Sequence, residues 1–122
     1  MALLFDEDGR EVVAAALTGR SAISAVNWAE VLSKVAERGG EPAATEAEYR
    51  EHGLIGEALE IEPLTASDCA AIGRLRPLTK AKGLSLADRA CLALAERLGV
   101  PALSADGAWA EVDIDVDVTL IR

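Results

Sequence analysis

Three acidic residues lie where a carboxylate could do chemistry. Glu30 follows the short apolar stretch SAISAV, Asp88 lies near the start of the helical stretch LSLADRACLALAERLG, and Asp106 follows PALSA. Neighbouring carboxylates repel each other, by roughly 4 kcal/mol at about 4 Å and an effective dielectric constant of about 20, and a bound cation removes that penalty. Their oxygen atoms suit Mg²⁺ or Mn²⁺, which can activate water and stabilise a phosphoryl transition state. The pattern therefore predicts phosphodiester hydrolysis.

Each of these acids also has a purely structural explanation. Asp88 stands three positions after Ser85, as in a capping box, and the positive end of a helix dipole stabilises a carboxylate there. Glu30 can pair with Lys34 one helical turn later. Asp106 begins an Asp-Gly pair, which is common in turns. What favours chemistry is the convergence of the three acids, so the elements that position them decide between the two interpretations.

Strands and helices alternate along the chain, which indicates an α/β fold with a mostly parallel sheet. In such sheets, ligands bind at the carboxyl ends of the strands, where the three acids would meet. The predicted strands are SAISAV, ALEIEPL, VPALSAD and an edge strand in DIDVDVTLIR, with Asp113, Asp115 and Asp117 on its exposed side. The predicted helices are REVVAAALTG, NWAEVLSKVAERGG, one from Pro42 to about Tyr49, one capped by Thr65 that ends before Pro77, and the helix that carries Asp88.

Composition predicts one domain over residues 1–122, with a core of small aliphatic side chains. Hydrophobic residues make up 51% of the chain and aromatic residues 3%, so Ala, Leu, Val and Ile must fill the core. The net charge of −9 argues against a general nucleic-acid binder with a basic surface. Five basic residues nevertheless fall within 16 positions, either as a solvated loop or as a patch that contacts phosphates: Arg74, Arg76, Lys80, Lys82 and Arg89.

Other kinds of site lack the residues they need. The chain contains neither G-x-G-x-x-G nor G-x-x-x-x-G-K-[ST], and His52 is its one histidine, which disfavours nucleotide loops, histidine triads and zinc sites. Cys69 and Cys91 lie in apolar helical patterns, so we expect core packing, no disulfide and a reduced, cytoplasmic protein. Trp28 and Trp109 are expected to pack against the sheet, with an exposed Trp109 on a partner surface as the alternative. We expect neither a membrane span nor a secretory signal.

Three segments carry a family resemblance: AISAVNWAEVLSKVAERGG, LSLADRACLALAERLGVPALSADGAWAEV and VDVTLIR. They resemble the PIN-domain family, and most closely the VapC ribonuclease toxins of toxin–antitoxin pairs. The resemblance extends over essentially the whole chain. It implies a PIN-like three-layer sandwich in which Glu30, Asp88 and Asp106 bind Mg²⁺ or Mn²⁺ for endoribonuclease cleavage of RNA. It also implies that Ser104 orients a metal-bound water, that a VapB-like antitoxin covers the acidic groove, and that the protein is a homodimer.

The chain departs from the family pattern at its start. Similar PIN domains begin with a central strand that ends in an Asp, whereas this chain begins with MALLFDEDG, which matches the helix after that strand. We therefore expect an N-terminally incomplete domain that lacks this strand and its Asp. The absent Asp motivates one alternative, a catalytically silent PIN-like remnant that binds an antitoxin or dimerises. The acids at strand ends motivate another, a phospho-accepting α/β signalling domain.

Overall fold

The structure is a computed structural model that describes residues 21–104 and 107–120. The predicted helix REVVAAALTG lies outside these residues. Within the described ranges, no helix is long and apolar enough to cross a membrane. In chain order the elements are β1 (Ser21–Ser24), α1 (Ala25–Glu37), α2 (Pro42–Glu51), β2 (Leu59–Glu62), α3 (Ala66–Thr79), a 3₁₀ turn (Lys80–Lys82), α4 (Leu86–Leu98), β3 (Ala102–Ser104), a second 3₁₀ turn (Gly107–Glu111) and β4 (Val118–Leu120).

The strands pair in parallel, which confirms the predicted α/β class. β1 pairs with β2, with Ser21 opposite Leu59, and β3 pairs with β4, with Ala102 opposite Val118. Among the described residues the strands form these two parallel pairs. Helix α4 contacts both β1 and β3, so it is the element that both strand pairs share. The helix that carries Asp88 is therefore central to the fold.

Small aliphatic side chains dominate the core, as the composition predicts. One cluster of buried residues joins α3, α4 and β3 around Leu92 and also contains Trp109. A second cluster lies between α1 and the β1–β2 pair and contains Trp28, whose Nε1 donates to Glu46 Oε1 at 2.7 Å. Both tryptophans are thus buried, and the polar atom of Trp28 is satisfied.

Helix α3 extends further than its sequence predicts. The expected end before Pro77 is wrong, because the helix continues to Thr79. Proline lacks an N–H and usually ends or kinks a helix. Here the following turn is held by burial, since Thr79 is fully buried and its Oγ1 donates to the carbonyl of Leu75 at 2.8 Å. Tertiary packing thus keeps the last turn helical.

The C-terminal segment alternates in burial without forming a strand along its full length. Strand β4 contains three residues, and Asp113, Asp115 and Asp117 precede it in an irregular segment with a bend at Asp115. These three acids are exposed, as predicted, and the aliphatic residues between them pack against the core. The predicted alternation is therefore correct, but of the described residues in this segment only Val118–Leu120 pair with β3 in a ladder.

Candidate active site

Asp88 occupies the first turn of α4 and forms the predicted capping box. Its backbone N–H donates to Ser85 Oγ at 3.1 Å, and its Oδ2 accepts from the Ser85 N–H at 2.8 Å. The second bond orients the side chain of Asp88, which is half-buried. Its other oxygen, Oδ1, accepts no hydrogen bond within the described part of the chain. One carboxylate oxygen therefore remains available to a ligand.

Glu30 lies in the second turn of α1 and is exposed. Over residues 21–104 and 107–120, its carboxylate has neither a hydrogen bond nor an ion pair. The structural alternative, an ion pair with Lys34, is not formed. The Glu30 carboxylate is therefore unpaired with respect to the residues that the structure describes.

A hydrogen-bonded bridge through Asn27 joins the first turns of the two helices that carry these acids. Asn27 Nδ2 donates to the carbonyl of Ala87 at 2.9 Å, across 60 positions of sequence. The Ser24 hydroxyl donates to Asn27 Oδ1, and the Asn27 N–H donates to Ser24 Oγ at 3.0 Å. Glu30 stands three residues after Asn27, on the same side of α1, and Asp88 directly follows Ala87. The bridge therefore fixes the helix turns from which both carboxylates extend.

Sequence reasoning missed Asn27. The available signal was a polar amide in the otherwise apolar stretch SAVNWA, at the junction of a strand and a helix. Asn at the start of a helix is readily explained by local capping. Its distant partner, the Ala87 carbonyl, becomes apparent only from the fold.

The third predicted acid, Asp106, lies outside the described residues. Ser104, the candidate for orienting a water molecule, is the last residue of β3 and is buried, with 7% of its surface exposed. The structure thus describes the strand that leads toward Asp106, while the position of this acid relative to Glu30 and Asp88 stays a prediction.

The two cysteines differ from each other. Both are free thiols. Cys91 is half-buried one turn after Asp88, and its pKa is raised to about 11 by burial and, second, by the negative charge of Asp88. Its thiol is therefore protonated at neutral pH and is a poor nucleophile. Cys69 is exposed, so the prediction of core packing is wrong for this residue, because it lies on the solvent side of α3.

The donor chemistry of Glu30 and Asp88 fits a hard divalent cation. Both offer carboxylate oxygen without a competing partner in the described ranges. Carboxylates are the ligands that Mg²⁺ and Mn²⁺ prefer. Within those same ranges, which exclude Asp106, no three acidic, histidine or cysteine side chains group closely enough to hold a metal. His52 ends α2 at an exposed position, as predicted.

Comparison with known proteins identifies the family. A search of curated proteins found no significant match. The family model described as "PIN domain" matches residues 1–115, which is nearly the whole chain of 122 residues. That match includes β1, α1, α4 and β3, the elements on which the candidate acids were predicted. The chain belongs to the PIN-domain family.

Proposed function

We propose that this protein is a metal-dependent endoribonuclease toxin of the VapC type, which hydrolyses RNA phosphodiesters. The observation that supports this proposal most directly is the Asn27–Ala87 bridge between two helix turns, each followed by a carboxylate with unpaired oxygen. Membership of the PIN-domain family supports a nuclease in general, with a nucleic-acid substrate and a divalent metal. The toxin type, the RNA substrate and the metal site are the finer parts of the proposal.

In this proposal Glu30, Asp88 and Asp106 hold Mg²⁺ or Mn²⁺. When bound, such an ion supplies an activated water and stabilises charge that develops on the phosphoryl group. The chain contributes preorganisation: the Ser85 N–H holds one oxygen of Asp88, and the helix dipole at this end of α4 favours its negative charge. Ser104 orients the attacking water.

The partners follow from the same proposal. A VapB-like antitoxin inhibits the enzyme by covering the acidic groove, with an Arg or Lys that reaches the carboxylates. The active form is a homodimer in the cytoplasm, where the free thiols of Cys69 and Cys91 stay reduced. Such an inhibitor supplies the positive charge that the metal supplies in the active enzyme.

The decisive experiment measures Mn²⁺-dependent cleavage of a mixed RNA pool by the 122-residue chain. Glu30→Gln, Asp88→Asn and Asp106→Asn should each lower cleavage by at least about 10²-fold, since each removes a charged ligand. Glu37→Gln is the matched control on α1, because Glu37 is exposed at the far end of the same helix. Equal cleavage by the wild type and all three variants would contradict the proposed site.

One alternative is a member of the PIN-domain family that has no catalytic activity. This alternative is a catalytically silent PIN-like module that binds an antitoxin or dimerises. This alternative predicts a tight antitoxin complex, without Mn²⁺ binding and without cleavage. Mn²⁺ binding measured by electron paramagnetic resonance separates the two functions, since the silent module leaves the free-ion signal unchanged.

A further inference from the structure

A stretch without acidic residues runs from α3 into the first turn of α4 in this acidic protein. The chain carries 21 acidic and 12 basic residues, yet residues 69–87 contain no Asp or Glu. The same stretch contains four basic residues, here called the basic edge: Arg74, Arg76, Lys80 and Lys82. Their positive charge therefore contrasts with the net charge of −9 for the whole chain.

The charges of the basic edge are largely unneutralised. All four side chains belong to exposed residues. Arg74, Arg76 and Lys80 have no ion pair with any described residue. Lys82 approaches Glu111 at 3.6 Å, but both side chains are well exposed, at 41% and 63%, so this pair contributes little. Arg76 and Lys80 also stand four positions apart, a spacing at which like charges repel on a helix.

The basic edge lies at the same end of the helix pair as Asp88. Arg97 in the last turn of α4 pairs with Asp68 in the first turn of α3, so the two helices run antiparallel. The C-terminal end of α3 must then lie beside the first turn of α4. The 3₁₀ turn that carries Lys80 and Lys82 leads directly to Ser85, the N-cap of the Asp88 helix.

Buried residues anchor the segment that carries these charges. Thr79 and Leu84 flank the 3₁₀ turn and are exposed by 0% and 2% respectively. Gly83 adopts a left-handed conformation, with φ of 70°, which reverses the chain between them. The lysines of the turn are therefore held at one place on the surface instead of on a long loop.

We infer that the basic edge binds the phosphodiester backbone of single-stranded RNA and guides it to Asp88. This inference rests on the proposed nuclease function. A polyanion that approaches a protein of net charge −9 is repelled, and a local group of exposed cations near the first turn of α4, three of them without an ion pair among the described residues, offsets that repulsion. Residues 69–87 contain no aromatic side chain for base stacking, so the contact is electrostatic and independent of base sequence.

The test measures binding without cleavage. Fluorescence anisotropy of a labelled oligouridine of about 12 nucleotides, in EDTA and over a salt series, gives the dissociation constant and its salt dependence. The variant Arg76→Gln/Lys80→Gln should weaken binding about tenfold at low salt. It should also reduce the slope of log K against log salt by about 1.4, since each phosphate contact on a single strand contributes about 0.7.

A matched variant controls for net charge. Lys34→Gln/Arg50→Gln removes the same two charges from exposed positions on α1 and α2 and should leave the salt slope within about 0.3 of wild type. Equal effects of the two variants would overturn the inference, because net charge alone would then explain binding. Binding of an oligoglutamate of equal length as tightly as the RNA would also overturn it, in favour of an acidic protein partner.

The RNA-binding test of the basic edge and the cleavage test of the proposed function can give different results. RNA binding that depends on the basic edge, combined with no Mn²⁺-dependent cleavage by wild type, supports the inference and contradicts the catalytic proposal. Cleavage by wild type with unchanged RNA affinity in Arg76→Gln/Lys80→Gln supports the catalytic proposal and contradicts the inference.

Discussion

Arg97 donates two hydrogen bonds to the carboxylate of Asp68. Its Nε donates to Asp68 Oδ1 at 2.9 Å and its Nη2 to Oδ2 at 3.2 Å. Asp68 is 4% exposed and also accepts from the Thr65 N–H at 2.9 Å, which completes the capping box of α3. One carboxylate thus caps α3 and ties it to the last turn of α4. Together with the buried core that the two helices share, this contact sets their antiparallel arrangement, and with it the position of the basic edge near the first turn of α4.

Stability should therefore decrease in acid through Asp68. The backbone hydrogen bond from Thr65 and the bonds from Arg97 lower the pKa of Asp68 below its ordinary 3.8, against the opposing effect of burial. A lowered pKa in the folded state stabilises the fold above the unfolded pKa, and this contribution is lost as the pH falls through the folded pKa. Urea unfolding of wild type and Asp68→Asn, from about pH 6 to about pH 2.5, should show a difference that shrinks with acidification.

At neutral pH we expect Asp68→Asn to lower the free energy of unfolding by about 2 kcal/mol, because hydrogen bonds to charged groups are lost. Asp113→Asn, at an exposed position, is the control and should change it by less than about 0.5 kcal/mol. A difference between Asp68→Asn and wild type that stays constant down to about pH 2.5 would show that the Asp68 carboxylate is not the titrating group.

Replacing Asn27 should loosen the junction of α1 and α4. Asn27→Ala leaves the Ala87 carbonyl without its side-chain donor, and we expect the free energy of unfolding to fall by about 1 to 2 kcal/mol. The same variant should bind Mn²⁺ more weakly, because the turns before Glu30 and Asp88 are no longer tied together. Ser33→Ala removes an exposed, local hydrogen bond from the same helix and should alter neither quantity measurably. Identical results for the two variants would rule out a special role for the bridge.

Asp88→Asn should separate the structural and chemical roles of this carboxylate. An asparagine oxygen can still accept from the Ser85 N–H, so we expect the free energy of unfolding to change by less than about 1 kcal/mol. Mn²⁺ affinity should fall by at least tenfold, because the charged ligand is lost. Thermal unfolding with and without Mn²⁺ reports both effects. Strong destabilisation together with normal Mn²⁺ binding would mean that Asp88 only caps its helix.

The two thiols should react at very different rates. At about pH 8 a disulfide reagent should modify exposed Cys69 quickly and Cys91 slowly, because the pKa of Cys91 is about 11 and little thiolate forms. Cys69→Ser should abolish the fast phase, whereas Cys91→Ser should abolish the slow one. Because burial raises the pKa of the Cys91 thiol above the ordinary 9.0, the free energy of unfolding should also decrease as the pH rises from about 9 to about 11. Two equally fast phases would contradict the burial of Cys91.

The sequence by itself determined the features that depend on neighbours along the chain. The Ser85–Asp88 capping box needs two side chains three positions apart, and the order of strands and helices follows from hydrophobic periodicity. The exposed acids and inward aliphatic residues after Glu111 follow from alternation. These effects act within one or two turns, so they can be predicted before the fold is known.

Tertiary structure decided what depends on distant partners. Helix α3 passes Pro77 because Thr79 is buried, and periodicity could not tell that Cys69 faces solvent while Cys91 is half-buried. Asn27 and the Ala87 carbonyl are 60 positions apart, so their bridge exists only once α1 packs against α4. Local patterns identified the candidate acids, and the packing of α4 against α1 set the relative positions of the helix turns that carry Glu30 and Asp88.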